Sequence, residues 1–408
     1  MSKGQNSKLF TKNLYLTYLI QVLIVSCLTL LSTVIPLWLS DRFNADSAEI
    51  GLVLGLSGIS TIIARPFMGF ALDRWGRKKI LYVSIFLFGA INFLYIFAGS
   101  LFTISLIRFF QCIPYAASTT AIITIATDML PEERQGEGLS YFTTSTTIPL
   151  AIGPTLGLAL YNINWAYPFI FSGSIGFVCL IAAFMVRIPD FKPAPKKFSV
   201  QSLFNKGVAI IALIATISFS ALPGLFSYMA FYGKEISLNL ELIGFIYASY
   251  AASLLLTRIL GAKIINRQDP KISGVISLTF YVFGVFIIGV WRNIVGTVFG
   301  AFIMGMGAGI ILPTLLMMAL NLAPDKRGLC NALVYGGIDV ANSLGSILFG
   351  TIAKFYGSYG TTYIVFSGFE LIGLVLFWFF TIPNYEKLRQ NGNQASQLIV
   401  KQPVRDEQ

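Results

Sequence analysis

Asn331, Tyr335, Asp339, Asn342 and Ser346 recur at intervals of four, four, three and four, so on a helix they form one polar stripe around an acid. The residues flanking the stripe are largely apolar. A carboxylate in such a setting can take up and release a proton. Arg108 is a cation in comparable surroundings, with Gln111, Tyr115 and Thr119 on the same helical face, and Glu370 is a second acid inside an apolar run. Histidine is absent, which excludes imidazole relays and imidazole-bound metals and leaves proton chemistry to carboxylates. Cys27, Cys112, Cys179 and Cys330 stand far apart, with no CxxC pair, so neither a disulfide nor a zinc site is expected. The sequence carries no nucleophile elbow, acidic metal cluster or phosphate loop. That argues against a membrane-embedded enzyme such as a lipid-modifying transferase, and no cofactor is expected.

The elements that must position these residues are membrane helices. Of 408 residues, 55% are hydrophobic and 12% charged, an excess that no water-soluble core absorbs. Apolar runs long enough to cross a hydrocarbon layer of about 30 Å recur along the chain. Breaks at charged residues, Pro and Gly place helices at 14–39, 48–72, 79–99, 101–127, 138–160, 167–187, 207–231, 240–265, 272–291, 294–319, 328–353 and 362–382. The first run lacks a small-residue cleavage site and reads as a helix rather than a removable signal. On this count Asp339 lies about 16 Å into the eleventh helix, near the midplane.

The formal charge of +11 follows topology. Lys and Arg crowd the loops on the side of both chain ends, whereas the opposite side carries only Arg42, Lys234, Arg292 and Lys354. The positive-inside rule puts both termini in the cytoplasm, in a multi-pass protein of the cell membrane, and removes the need for a nucleic-acid partner. Pro189 to Lys206 is a polar, lysine-rich connection that reads as a linker. The expected organisation is an N-terminal six-helix bundle at 1–188, a linker at 189–206, a C-terminal bundle at 207–385 and a cytoplasmic tail at 386–408.

The halves repeat. Ile50-Gly51 recurs as Ile243-Gly244, Arg65 as Arg258, Arg74 as Arg267 and Arg134 as Arg327, all at an offset of 193. Asp128-Met-Leu-Pro131 aligns with Asn321-Leu-Ala-Pro324 at the same offset. A parallel duplication of this kind points to a path between the two halves.

The segment Gly69-Phe-Ala-Leu-Asp73-Arg74-Trp-Gly76-Arg77-Lys78-Lys79 resembles the signature between the second and third helices of the major facilitator superfamily. Arg108-Phe-Phe-Gln111 is similar to that family's Arg-x-x-Gln-Gly motif, with Cys112 in place of the glycine. Gly153-Pro154-Thr-Leu-Gly157 resembles the Gly-Pro-x-x-Gly motif of its exporters. The resemblance implies an all-α major facilitator fold, twelve transmembrane helices in two six-helix bundles, and proton-coupled efflux of a small amphipathic compound by a monomer. Export of an endogenous metallophore or siderophore is the alternative within that class.

Asp339, Arg108 and Glu370 are then the candidates for proton coupling. Gating falls to Gly69, Asp73, Arg74, Gly76 and Arg77, to Arg65, Asp128 and Arg134, and to Gly153, Pro154 and Gly157. The cavity-lining helices of the family suggest Gln21, Gln111, Tyr115, Phe226, Tyr228, Met304 and Met317 as substrate contacts, beside Asn331 and Tyr335. The expected partners are a small-molecule substrate, protons and the lipid bilayer.

Overall fold

A backbone in hydrocarbon must satisfy its polar groups within itself, which favours helices. In a computed structural model that describes residues 11–130, 135–188, 205–265, 269–323 and 327–387, helices account for most of the described residues. They are α1 (Lys12–Phe43), α2 (Ser47–Trp75), α3 (Arg77–Leu94), α4 (Leu101–Met129), α5 (Gln135–Ile163), α6 (Tyr167–Met185) and α7 (Lys206–Ser218). The remainder are α8 (Met229–Glu235), α9 (Ile243–Ile265), α10 (Pro270–Val290), α11 (Ile294–Leu322), α12 (Arg327–Tyr356) and α13 (Tyr359–Leu376).

Ten helical stretches among the described residues are long and apolar enough to cross a bilayer. With α5 and the interrupted segment α7–α8 the crossings number twelve. The sequence predicts one continuous helix over 207–231; instead α7 stops at Ser218, a π-helical turn runs over Gly224–Tyr228, and α8 resumes at Met229. Pro223 is the physical reason, because it has no N–H for the preceding turn and its ring clashes there.

Polar residues close the helix ends where orphan N–H groups meet water. Asp46 caps α2 in a reciprocal box with Glu49; Ser100, Asn293 and Ser358 cap α4, α11 and α13. Large exposed apolar side chains such as Phe97, Phe102, Phe355 and Phe379 cover the outside, as a lipid-facing surface requires.

Packing repeats as the sequence does. In the first half α1 packs on α5, α2 and α6 on their neighbours α4 and α3, and α3 also on α4; in the second, α7 on α12, α9 and α10 on α11, and α10 on α13. The halves meet chiefly through α2 against α12 and α5 against α9, pairs that exchange under the internal twofold relation. Thr33 marks the axis itself: its hydroxyl donates to the Phe226 carbonyl at 2.8 Å, and the two positions differ by 193.

Close crossings rest on glycine. In α5, Gly153 lies against α1, where an added Cβ would overlap the Thr29 hydroxyl and come within 2.8 Å of the Ser26 carbonyl oxygen. Gly153→Ala should therefore lower the thermal unfolding midpoint in detergent, by an overpacking cost of about 1–3 kcal/mol. An unchanged midpoint would show that α1 yields freely at this crossing.

Candidate functional site

Among the described residues, the helix ends that carry Lys12, Arg77, Arg187, Lys206, Lys271 and Lys387 share one face of the helix array, called here the basic face; the opposite one is the far face. From the far face inward, α2 and α12 lie unusually close. A Cβ on Gly51, Gly55 or Gly58 would come within 2.5–2.6 Å of Ser346, Ile347 or Ser343, and the Ser343 hydroxyl donates to the Gly55 carbonyl at 2.8 Å. Where this glycine seam ends, Arg65 of α2 reaches Asp339 of α12, with Nε 2.5 Å from Oδ2 and the second guanidinium nitrogen 3.5 Å from Oδ1. Both lie about 15–18 Å from the basic ends of their helices. Their side chains are 29% and 13% exposed, so the pair touches the space between the halves without being dissolved in it.

The repeat-related crossing ends in a similar way. Arg258 of α9 donates to the Thr147 hydroxyl of α5 at 2.7 Å. The offset of 193 maps Asp339 onto Thr146, beside that acceptor. The two clamps thus share an arginine and differ in its partner: a carboxylate on one side, a hydroxyl on the other. Asn331 and Tyr335, two turns and one turn before Asp339 towards the basic face, are exposed.

Arg108 is placed differently. It is 2% exposed and donates to Gln111 Oε1 and to the Ser32 hydroxyl, each at 2.9 Å. Gln111 in turn accepts from the Tyr95 hydroxyl at 2.8 Å and donates to Asn92 at 2.6 Å. The sequence pairs Arg108 with Gln111 by spacing; Ser32, Asn92 and Tyr95 come from α1 and the end of α3, where no local signal announces them. Thr119 bonds its own helix backbone, and the Tyr115 ring lies beside Phe88.

Of the predicted cavity residues, Gln21 is buried in α1. Phe226 stacks on Tyr247 with centroids 5.8 Å apart. Tyr228 donates to the Ser346 carbonyl at 3.1 Å and lies 3.4 Å from that of Ser47. Met304 is buried where α11 crosses Gly284 of α10, inside one half, and Met317 is half-buried.

The predicted gating loop places Gly76 between α2 and α3 at φ 87°, a backbone that disfavours any side chain. Arg77 forms an ion pair with Asp128 at the end of α4, tying two loops of the same half, and Arg74 is exposed. Arg134 and the side chains of Gly69 and Asp73 lie outside the described residues. Gly153 and Gly157 pack on α1 rather than across the halves.

At the far face the four isolated cations have specific partners. Lys354 of α12 binds Asp46 at 2.7 Å and Lys234 of α8 approaches Asp41 to 3.8 Å, both across the halves. Arg292 lies 4.0 Å from Glu235, and Arg42 sits over the Trp165 ring at 4.2 Å. Ser47 and Tyr359 share a hydrogen bond of 2.8 Å across the same seam. The scarcity of charge on this side was the sequence signal for these contacts.

The Lys354 ammonium and the Glu49 N–H hold the Asp46 carboxyl below its ordinary value of 3.8. A depressed acid lends its stabilisation above that value and loses it as pH falls below. Through this pair, far-face cysteine labelling should therefore be flat with pH near neutrality and rise only in stronger acid. A Lys354→Ala effect largest at neutral pH and absent in strong acid is the expected signature.

Two six-helix halves joined along paired crossings, with an ion pair between them, form the architecture of a multi-pass membrane transporter. The chain belongs to the major facilitator superfamily, whose sequence profile matches residues 17–328 and 297–406. It is 26% identical to the staphylopine export protein of Staphylococcus aureus over 365 residues, 83% of this chain and 89% of that one. To the quinolone resistance protein NorA of Staphylococcus aureus it is 22% identical over 364 residues, 84% and 90% of the two chains. Its fold matches a bacterial homologue of the human lysosomal transporter Spinster, inward-facing and unoccupied, with a TM-score of 0.76 at 15% identity, covering 94% and 99%.

Proposed function

We propose that this transporter exports a small amphipathic organic compound across the cell membrane in exchange for protons. The observation that carries the reading is the Arg65–Asp339 ion pair between the halves. Protonation of Asp339 removes the charge that holds Arg65 and frees the α2–α12 clamp, whereas loss of the proton restores it. One titratable bond therefore sets the relation of the halves, as alternating access requires. The basic face is cytoplasmic and the far face outer, on the distribution of Lys and Arg. The N-terminal bundle spans 1–188 and the C-terminal bundle 207–385, joined by the linker at 189–206, and the unit works as a monomer.

Two relatives, an export protein and a resistance protein, favour the outward direction. A second reading, export of an endogenous anionic metal chelator, is favoured by the repeat-related arginines Arg65 and Arg258 at the inner end of the clamps. Proteoliposomes loaded with acid and carrying the protein distinguish the two. A quinolone should collapse the proton gradient on the first reading and a metal–opine complex on the second. No collapse with either class would overturn proton coupling.

A further inference from the structure

The gap in the seventh span holds a carboxyl from another helix. Glu370 of α13 is fully buried, and its Oε1 accepts from the Ser220 hydroxyl at 3.1 Å and from the Ala221 backbone N–H at 3.2 Å. Both donors lie between Ser218, where α7 ends, and the turn that begins at Gly224. The break frees backbone groups that would otherwise be spent within the helix, and Glu370 receives one of them.

The rest of the pocket offers few polar groups. Oε2 of Glu370 and the hydroxyl of Tyr281 are both buried without a hydrogen-bond partner. Tyr281, from α10, lies within electrostatic range of Glu370, and its ring meets that of Phe219 edge-on at 6.0 Å. From the gap after α7 come Ser220 and the Ala221 backbone. The neighbouring α12 brings apolar Phe349 against Phe366 of α13, and α8 brings Tyr232 against Tyr363, a turn or two towards the far face. Among the described residues no Lys or Arg pairs with Glu370.

What lies beyond the gap gives it consequence. α8 carries Lys234, which approaches Asp41 of the other half, and Glu235, whose carboxylate caps α13 through Ser358 and the Tyr359 N–H. Tyr228, at the end of the turn, reaches the Ser346 and Ser47 carbonyls. The segment after the hinge is thus one lip of the far-face closure.

We propose that Glu370 is a proton-operated latch on the hinge of the seventh span, neutral when the far face is closed and ionised when it opens. An ionised carboxylate, fully buried with two donors and no cation among the described residues, is expensive in hydrocarbon. A neutral acid keeps both accepted bonds at Oε1 and carries no charge to desolvate. Opening the hinge admits water, which stabilises the carboxylate. Protons therefore bind the closed state better and shift the population towards it. The latch goes beyond the antiport reading, sharing with it only the assignment of the outer face, and operates without substrate.

Spin labels on Phe97→Cys and Phe355→Cys, both far-face positions exposed to lipid or water, report the separation of the halves in nanodiscs. In Asp339→Asn, where the α2–α12 pair no longer titrates, raising the pH should shift the distances from a short to a long population. Glu370→Gln added to that variant should keep the short population at every pH. A shift that survives in the double variant overturns the latch and leaves the coupling reading standing. Dicyclohexylcarbodiimide, which reacts with protonated buried carboxyls, needs no variant. An adduct on wild-type Glu370 formed in acid and lost in alkali supports the latch, and no adduct at any pH refutes it.

Discussion

Asp339→Asn should leave a folded transporter that no longer follows the proton gradient. Asparagine preserves the shape and an acceptor for Arg65 Nε, so the hydrogen bond at 2.5 Å has a neutral successor. The charge and its titration are lost. Because Arg65 and Asp339 are partly exposed, solvent screens the orphaned guanidinium and the stability cost is modest. Gradient-driven transport should fall by about tenfold or more, and the residual movement of substrate down its own gradient should be flat with pH. Retention of the wild-type pH profile would remove Asp339 from coupling. Arg65→Gln should produce a similar loss, and the double variant should cost less than the two singles together, because each removes the same interaction.

Gly58→Leu should be nearly as damaging by a different route. A Cβ here would stand 2.5 Å from the Ser343 Cβ and 2.6 Å from the Asp339 carbonyl oxygen. The second of these is backbone, which cannot swing aside as the tip of a side chain can. The seam between α2 and α12 cannot then close, and the ion pair at its inner end loses its register. Transport should fall by about tenfold or more, and far-face cysteines should label as if the protein were held open. A Leu variant with normal transport would mean that this crossing never closes during the cycle. The two substitutions separate by their readouts: Asp339→Asn changes the pH response, Gly58→Leu the accessibility of the far face.

Much of the architecture could be read from hydropathy, because a span long enough to cross lipid is a property of consecutive residues. The duplication was legible for the same reason, since an offset of 193 is a property of one string. The broken seventh span was not read, although Pro223-Gly224 stood in plain sight; apolar neighbours on both sides masked the backbone defect. Pairing was beyond reach. Arg65 and Asp339 each stood out as a charge in an apolar run, yet they are 274 residues apart and only the packing of α2 on α12 brings them together. The same holds for Arg77 with Asp128 and for Glu370 with Ala221. Arg108 stood out as a lone cation beside Gln111, whereas its hydroxyl partner Ser32, and Asn92 and Tyr95 behind Gln111, lay among residues with no distinguishing mark.

The bond from Thr33 to Phe226 has a consequence for descent. Equivalent positions that touch must lie on the twofold axis, and in a symmetric dimer of identical chains such a residue meets its own copy. A hydroxyl answering a carbonyl that a helix break leaves available is a solution closed to such a pair, because both chains would need the break and neither would be free to change alone. Joining the copies into one polypeptide lifted that restriction. The same freedom let one arginine clamp acquire an acid while its twin kept a hydroxyl, so that a machine built from two like parts could answer to a proton on one side only.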